Sequence, residues 1–306
     1  MKCINPHTTS AGQAHGCGQC LPCRINRQRI WTHRILLEAS LYDDNAFVTL
    51  TYDERHLPED GGLNPKHLRN FLDFLRKGYK AKQLECGVND PRRMRFFAVG
   101  EYGDTTGRPH YHLVLFNFPP CRYGLSRYSR SIRNCCVWCD LVRDTWGKGT
   151  VFLGAVEPHS AAYVCGYVCK KLTKGHPELG DRHPEFARQS RMPGLGADAM
   201  HDVASVVLNY DLVEREGDVP SALRHGKKVM PLGPYLTRRL RKLCGEDEKA
   251  PQSKVDAINA ELLPLRYAAR FSQESPSLKH QIRKANSQKA LQLETKLRIF
   301  KKKGNV

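Results

Sequence analysis

The sequence has no apolar run approaching the roughly 18 residues that a membrane-spanning helix needs. This excludes a helical membrane protein, and no membrane partner is expected. Met1 to Ser10 lack the apolar stretch of a secretory signal, so the expectation is an intracellular, cytoplasmic protein. Its twelve cysteines would then be reduced thiols or metal ligands rather than disulfides. No Gly-x4-Gly-Lys-[Ser/Thr] loop occurs, which argues against a nucleotide-driven helicase. Acidic residues are scarce: 31 Asp and Glu face 49 Lys and Arg, for a formal charge of +18.

A charge of that sign and size favours a polyanionic partner, nucleic acid first. The 306 residues, 40% of them hydrophobic, suffice for one sizeable core and a looser second region. The patterning divides the chain into a Cys-rich segment with a basic helix (1–45), a regular αβ domain (46–175) and a basic C-terminal region (176–306).

Within the middle region the elements are legible. A helix is expected from Arg24 to about Tyr42, with Ile30, Trp31, Leu37 and Leu41 near helical spacing. Phe47 to Tyr52 is β-branched and aromatic and reads as a strand. Asn64 followed by Pro65 is a helix start, and Leu68, Phe71, Leu72 and Leu75 give an apolar face ending near Gly78. Met94–Tyr102 and His110–Phe118 read as strands around the turn Asp104-Thr105-Thr106-Gly107. A helix from about Asn134 to Trp146, a strand from Thr150 to Val156 and a helix from Ser160 to Lys174 complete the series. This β-α-β-β-α-β order predicts an α+β fold of the ferredoxin or RNA-recognition-motif type, an antiparallel sheet with helices on one face. After Gly175 the pattern weakens, with helices expected near Tyr235–Leu243 and Leu278–Phe300. Pro276–Lys303 carries nine Lys or Arg against one Glu, a basic tail or helix suited to phosphate contacts.

Two constellations carry chemistry. His110 and His112 alternate with Tyr111 and share one strand face. With the turn centred between Thr105 and Thr106, Glu101 lies directly opposite His110 on that face. Two imidazoles and a carboxylate suit Mg²⁺ or Mn²⁺ with coordination positions open to a phosphate oxygen. Two histidines on a strand are otherwise ordinary surface residues. The second constellation is the helix around Tyr163. At about 100° per residue, Tyr163, Tyr167, Lys170, Lys171 and Lys174 share a face, while Val164, Val168 and Leu172 form the neighbouring apolar stripe. A phenol is a weak nucleophile because its pKa is near 10, and a nearby cation favours the phenolate. The bland alternative is half-buried tyrosines beside solvated lysines.

Together these residues resemble the rolling-circle replication initiators with a His-hydrophobic-His motif, and most of all those of microviruses of the gokushovirus type. Phe47–Tyr52 looks like the first motif, His110-Tyr111-His112 the second and Tyr163-x3-Tyr167-x2-Lys170 the third. Cys17-Gly-Gln-Cys-Leu-Pro-Cys-Arg24, Thr49-Leu-Thr-Tyr52, Gly100-Glu-Tyr-Gly103 and Ser190-Arg-Met-Pro-Gly-Leu-Gly196 also look like signatures. The resemblance covers about residues 1 to 200. It implies a tyrosine endonuclease that nicks origin DNA, forms a 5′-phosphotyrosine and later rejoins strand ends. Glu101, His110 and His112 would hold Mg²⁺ or Mn²⁺, Tyr163 and Tyr167 would attack, and Lys170 would neutralise charge. Lys171, Lys174 and Arg108 would contact DNA. Single-stranded and origin double-stranded DNA and the host replication machinery would be partners, in a bacterial cytoplasm if the gene is a phage's. Cys165 and Cys169 depart from the motif and are expected to face the sheet.

Cys3, Cys17, Cys20 and Cys23 offer four thiolates for a structural Zn²⁺; free thiols and an iron–sulfur cluster stay open. His7 and His15 could substitute for one ligand. Cys121, Cys135, Cys136 and Cys139 form a second group with no role legible in the sequence. The competing functional reading is a non-enzymatic nucleic-acid-binding protein using Tyr52, Phe97 and Tyr111 as stacking platforms. A relaxase, a single-stranded DNA transposase and a Zn²⁺-dependent hydrolase are further alternatives.

Overall fold

The structure is a computed structural model. It describes all residues except 1–2, 11, 89–92, 104–105, 125–134, 171–178, 274–276 and 303–306, and the side chains of 158–159, 167–170 and 300–302. The described chain divides into two compact units, residues 31–201 and residues 1–30 with 202–306.

In chain order the elements up to residue 189 are β1 (His7–Thr8), β2 (Ala14–His15), α1 (Leu21–Ala39), β3 (Asn45–Thr51), α2 (Pro65–Glu85), β4 (Arg95–Tyr102), β5 (Pro109–Phe116), α3 (Val137–Trp146), β6 (Val151–Ala155), α4 (Pro158–Lys170) and β7 (Phe186–Gln189). The central sheet runs β6-β3-β5-β4-β7, every pair antiparallel. Its first four strands keep the split β-α-β-β-α-β connection, and β7 extends the edge beside β4. That fifth strand lies in the weakly patterned region, where four residues without alternation give no period to read.

Helices cover both faces of the sheet, not one. Val48, Leu50 and Tyr52 of β3, with Tyr111, Leu113 and Leu115 of β5, pack with Leu68, Phe71, Leu72 and Leu75 of α2 and Trp138, Val142 and Trp146 of α3. The alternate residues Phe47, Phe97, Val99, Val114 and Phe116 pack with Ile35 of α1 and Ala161, Val164 and Cys165 of α4. The period-2 alternation therefore sends two apolar sets to two cores, which is why the strands read as continuous apolar runs.

Local signals place the helices. Asn64 caps α2, its side chain accepting from the backbone N–H of Lys66 and His67. α2 runs past Gly78, which is no stop: a Cβ there would meet Leu141 Cδ1 at 2.6 Å, so the missing side chain lets α3 approach. α3 ends at Gly147 in the left-handed conformation.

The other unit contains β1, β2, the first part of α1, and then α5 (Met200–Asn209, entering it at Asp202), α6 (Leu212–Glu216), β8 (Ala222–His225), β9 (Lys228–Pro231), α7 (Gly233–Leu243), α8 (Gln252–Phe271) and α9 (Leu278–Lys302). α9 is not a loose tail. Ile282, Asn286 and Ala290 are buried, and Asn286 Nδ2 donates to the Cys3 carbonyl at 3.0 Å. No helix among the described residues is long and apolar enough to cross a membrane.

Candidate active site

β5 places His110 and His112 on the sheet face that also carries α4, and β4 sets Glu101 directly opposite His110, the register expected from the turn. The carboxylate leans diagonally, however: Glu101 Oε1 lies 2.9 Å from His112 Nε2, and both side chains are buried. On the other edge of the imidazole, Nδ1 lies 3.0 Å from Thr49 Oγ1, supplied by β3 in direct register with His112. Phe47 stacks on His112 with centroids 6.0 Å apart and planes at 13°. His112 is thus fixed on three sides, and its Nε2 is held beside a carboxylate oxygen.

His110 stands further out, half-exposed, its ring centroid 6.5 Å from that of His112. Its Nε2 abuts Gly103, where a Cβ would come within 3.0 Å. Burial pushes the His110 pKa below its ordinary value, and His112 and Arg108 add to the effect against an opposing pull from Glu101. A neutral imidazole is the form that ligates a metal.

Tyr163 comes from α4 on the same face. Its ring meets His112 edge-on at 5.4 Å and Phe47 edge-on at 6.4 Å, and the residue is 43% exposed. A tyrosine that packs at one edge and opens to solvent at the other can present its hydroxyl to a substrate. Tyr167 and Lys170 lie on α4 with side chains outside the described residues, and Lys171 and Lys174 lie wholly outside them. Cys165 is buried against the sheet. Arg108 does not point freely at solvent: it pairs with Glu54 and donates to the Tyr52 carbonyl at 2.9 Å.

The donor set suits a hard divalent cation. A ligand-to-ligand edge of about 3.0 Å follows from octahedral bonds of about 2.1 Å, close to the Glu101–His112 separation. The Thr49 contact supplies the outer hydrogen bond that orients a ligating histidine. His110 is less drawn in: among the described residues only cysteine groups bring three or more ligand atoms within 4.8 Å of one another.

The family of replication-associated proteins of the ORF2 type matches residues 45–172. The replication-associated protein ORF2 of Spiroplasma virus 4 is 30% identical over 230 residues, covering 73% of this chain and 67% of that protein. The chain belongs to this family. The replication-associated protein VP4 of Bdellovibrio phage phiMH2K is 34% identical over 174 residues, 57% of this chain and 54% of that protein. The replication-associated protein ORF4 of Chlamydia phage 1 is 26% identical over 255 residues, 81% of this chain and 58% of that protein. The chain thus spans little more than half the length of two of these relatives. No solved structure matches it significantly. The family match runs from β3 to just past α4, so it encloses Thr49, Glu101, His110, His112 and Tyr163.

Thr49, Phe47 and Gly103 were not singled out by sequence. Thr49 and Phe47 share the face of Thr51 at alternate positions on β3, which the period-2 rule would have revealed once Phe47–Tyr52 was paired with the histidine strand. The aromatic platform needed by a non-enzymatic binding module is absent: Tyr52, Phe97 and Tyr111 are all buried. The Tyr52 hydroxyl instead bonds His67 Nδ1 at 2.9 Å and the Tyr111 hydroxyl at 3.0 Å, and burial raises both phenol pKa values.

Outside this site, the sulfurs of Cys3, Cys17, Cys20 and Cys23 lie within 4.8 Å of one another and could hold a structural metal. Cys3 Sγ accepts from the N–H of Asn5 at 3.4 Å and of Cys17 at 3.3 Å; Cys17 Sγ accepts from Gln19 and Cys20. Burial pushes the Cys17 thiol up, but those N–H groups and the neighbouring thiols outweigh it and bring the pKa down to about 6. Burial holds Cys23 up at about 12. The exposed His7 and His15 pair across the β1–β2 ladder.

Proposed function

We propose that this protein initiates rolling-circle DNA replication as a metal-dependent tyrosine endonuclease that nicks origin DNA and rejoins strand ends. The observation that carries the reading is the 5.4 Å edge contact between Tyr163 and His112, two residues far apart in sequence, beside the Glu101 carboxylate.

Glu101 and His112, joined by His110 after rotation of its side chain, would hold Mg²⁺ or Mn²⁺. Bound there, the ion would supply charge neutralisation at a non-bridging oxygen of the scissile phosphate. The Tyr163 hydroxyl would attack phosphorus, forming the Tyr–O–P bond as the P–O3′ bond breaks. The departing 3′ oxygen ends as a free hydroxyl for host polymerase, taking up a proton equivalent to the one lost by the phenol. Thr49 keeps His112 from rotating, and Phe47 sets the spacing between its ring and Tyr163. Tyr167, one helical turn on, would serve as the second nucleophile that cuts and rejoins the unit-length strand. Lys170 would offset phosphate charge, and Lys171 and Lys174 would extend the basic track along DNA. Arg108 reaches DNA only by giving up Glu54. Cys3, Cys17, Cys20 and Cys23 would bind Zn²⁺ to secure the N-terminus.

The experiment is incubation with a labelled single-stranded origin oligonucleotide and Mn²⁺, followed by mapping of the DNA-linked peptide. The expected result is a covalent adduct on Tyr163 or Tyr167, lost in Tyr163→Phe/Tyr167→Phe while DNA binding persists. An adduct that survives the double substitution, or wild-type binding that never yields an adduct, overturns the reading.

A further inference from the structure

A second group of four cysteines lies in the sheet unit, assembled from two chain segments. Cys121 follows β5, and Cys135, Cys136 and Cys139 lead into and begin α3. All four sulfurs lie within 4.8 Å of one another, and Cys121 Sγ is 3.5 Å from Cys135 Sγ. Cys135, Cys136 and Cys139 are buried and Cys121 is partly buried.

We propose that this group is a structural zinc site of the tetrathiolate type. Zn–S bonds of about 2.3 Å in a tetrahedron separate the sulfurs by about 3.8 Å, the spacing range found here. An iron–sulfur cluster places metal and sulfide ions between its ligands and holds the cysteine sulfurs further apart, so one ion fits and a cluster does not. Cys136 is the N-cap of α3 and its side chain makes no capping hydrogen bond. Its sulfur is therefore left for another partner, and the N-terminal end of the ten-residue helix favours the thiolate form. The spacing Cys121-x13-Cys135-Cys136-x2-Cys139 matches no common zinc signature, so only the folded arrangement reveals it.

The ion would clamp the chain leaving β5 to the start of α3. From there Trp138, Val142 and Trp146 pack into the core against α2, and Trp146 Nε1 donates to the Thr51 carbonyl at 2.9 Å. The site is independent of the N-terminal cysteines, which belong to the other unit.

The test is zinc content per full-length chain, purified under reducing conditions, by elemental mass spectrometry. Wild type should carry one zinc more than Cys139→Ser and one more than Cys121→Ser, the latter altering a position open enough to tolerate a serine. Cys20→Ser should leave this zinc in place. Co²⁺ substitution of the wild-type chain, which requires no variant to fold, should show tetrahedral tetrathiolate absorption that persists in Cys20→Ser. Equal zinc in wild type, Cys139→Ser and Cys121→Ser overturns the proposal. So does a Cys20→Ser chain that binds neither zinc nor cobalt, or a Cys121–Cys135 disulfide recovered from it.

Discussion

Thr49 Oγ1 sits 3.0 Å from His112 Nδ1, on the imidazole edge opposite the one that meets Glu101. A hydroxyl there fixes the ring's orientation and its tautomer. Thr49→Val keeps the shape and the β-branch of the strand residue but removes the hydrogen bond. The expected outcome is a rise of about 10–100-fold in the Mn²⁺ concentration needed for half-maximal nicking, with the maximal rate largely restored at saturation. Thr49→Ser should behave as wild type. An unchanged metal titration in Thr49→Val would remove Thr49 from the site.

Phe47 touches both functional rings, stacking on His112 and meeting Tyr163 edge-on. Phe47→Leu removes the flat surface that sets the angle between them while preserving most of the apolar volume. Misplacing a nucleophile by a fraction of an ångström lowers the rate more than binding, because orientation is realised only near the transition state. Single-turnover nicking should fall at least about tenfold with DNA affinity within about twofold of wild type. Equal losses in binding and rate would mean that Phe47 acts only through stability.

Much of this was readable from residue order. Period-2 alternation in His110–Phe116 and the 3.6-residue spacing in α2 and α4 gave the sheet and helices their faces, and the centre of the turn gave the pairing of Glu101 with His110. What escaped depends on distance in three dimensions. The turn of the Glu101 carboxylate toward His112 is a rotamer outcome, and β7 is too short to show a period. The segment Ser190–Gly196 is uninterpretable as a string, yet it is a packing device in the fold. The Phe96 N–H donates to Ser190 Oγ at 3.1 Å, the Arg34 guanidinium donates to the Leu195 carbonyl, and the Gly196 N–H donates to the fully buried Glu38 at 2.7 Å. Glu38 also pairs with Arg95 at 2.9 Å, tying α1 to β4. Gly100-Glu101-Tyr102-Gly103 divides likewise: Gly103 leaves room for His110, and the Tyr102 hydroxyl donates to the His183 carbonyl at 2.7 Å.

Gly149 has φ near +147°, a conformation that L side chains rarely adopt, and a Cβ there would run into the Thr51 carbonyl oxygen and stand 2.5 Å from Asp53 N. Both obstacles are backbone, and neither can rotate away. Asp53 N also donates to the Lys148 carbonyl at 2.9 Å, so the strain would spread to the end of β3 that faces His110. Gly149→Ala should destabilise the chain by about 2–5 kcal/mol in urea unfolding, combining backbone strain with overpacking. Gly61→Ala serves as a control for positive φ alone, since a Cβ there meets nothing within 4 Å. If the two variants lose equal stability, the steric part of the argument fails.

Asp218 and Arg241 form a doubly hydrogen-bonded pair, Arg241 Nε to Oδ1 at 2.8 Å and Nη2 to Oδ2 at 2.7 Å, and both residues are buried. The guanidinium holds the Asp218 carboxyl below the usual carboxylate range against the opposing effect of burial. Arg241 is raised, chiefly by its hydrogen bond to the same carboxylate, and stays charged throughout. For a depressed acid the sign is definite: the stabilisation is present above the unfolded pKa of about 3.9 and is lost as pH falls through the lower folded value. Asp218→Asn leaves a buried guanidinium without its counter-charge and should cost about 3 kcal/mol near neutrality. The stability gap between wild type and this variant should stay constant from pH 7 to about 5 and shrink below about 4, because only the wild-type residue titrates there. Urea unfolding of the full chain across that range measures it, and a gap that persists unchanged at about pH 3 would show that the pair's charge contributes nothing to the fold.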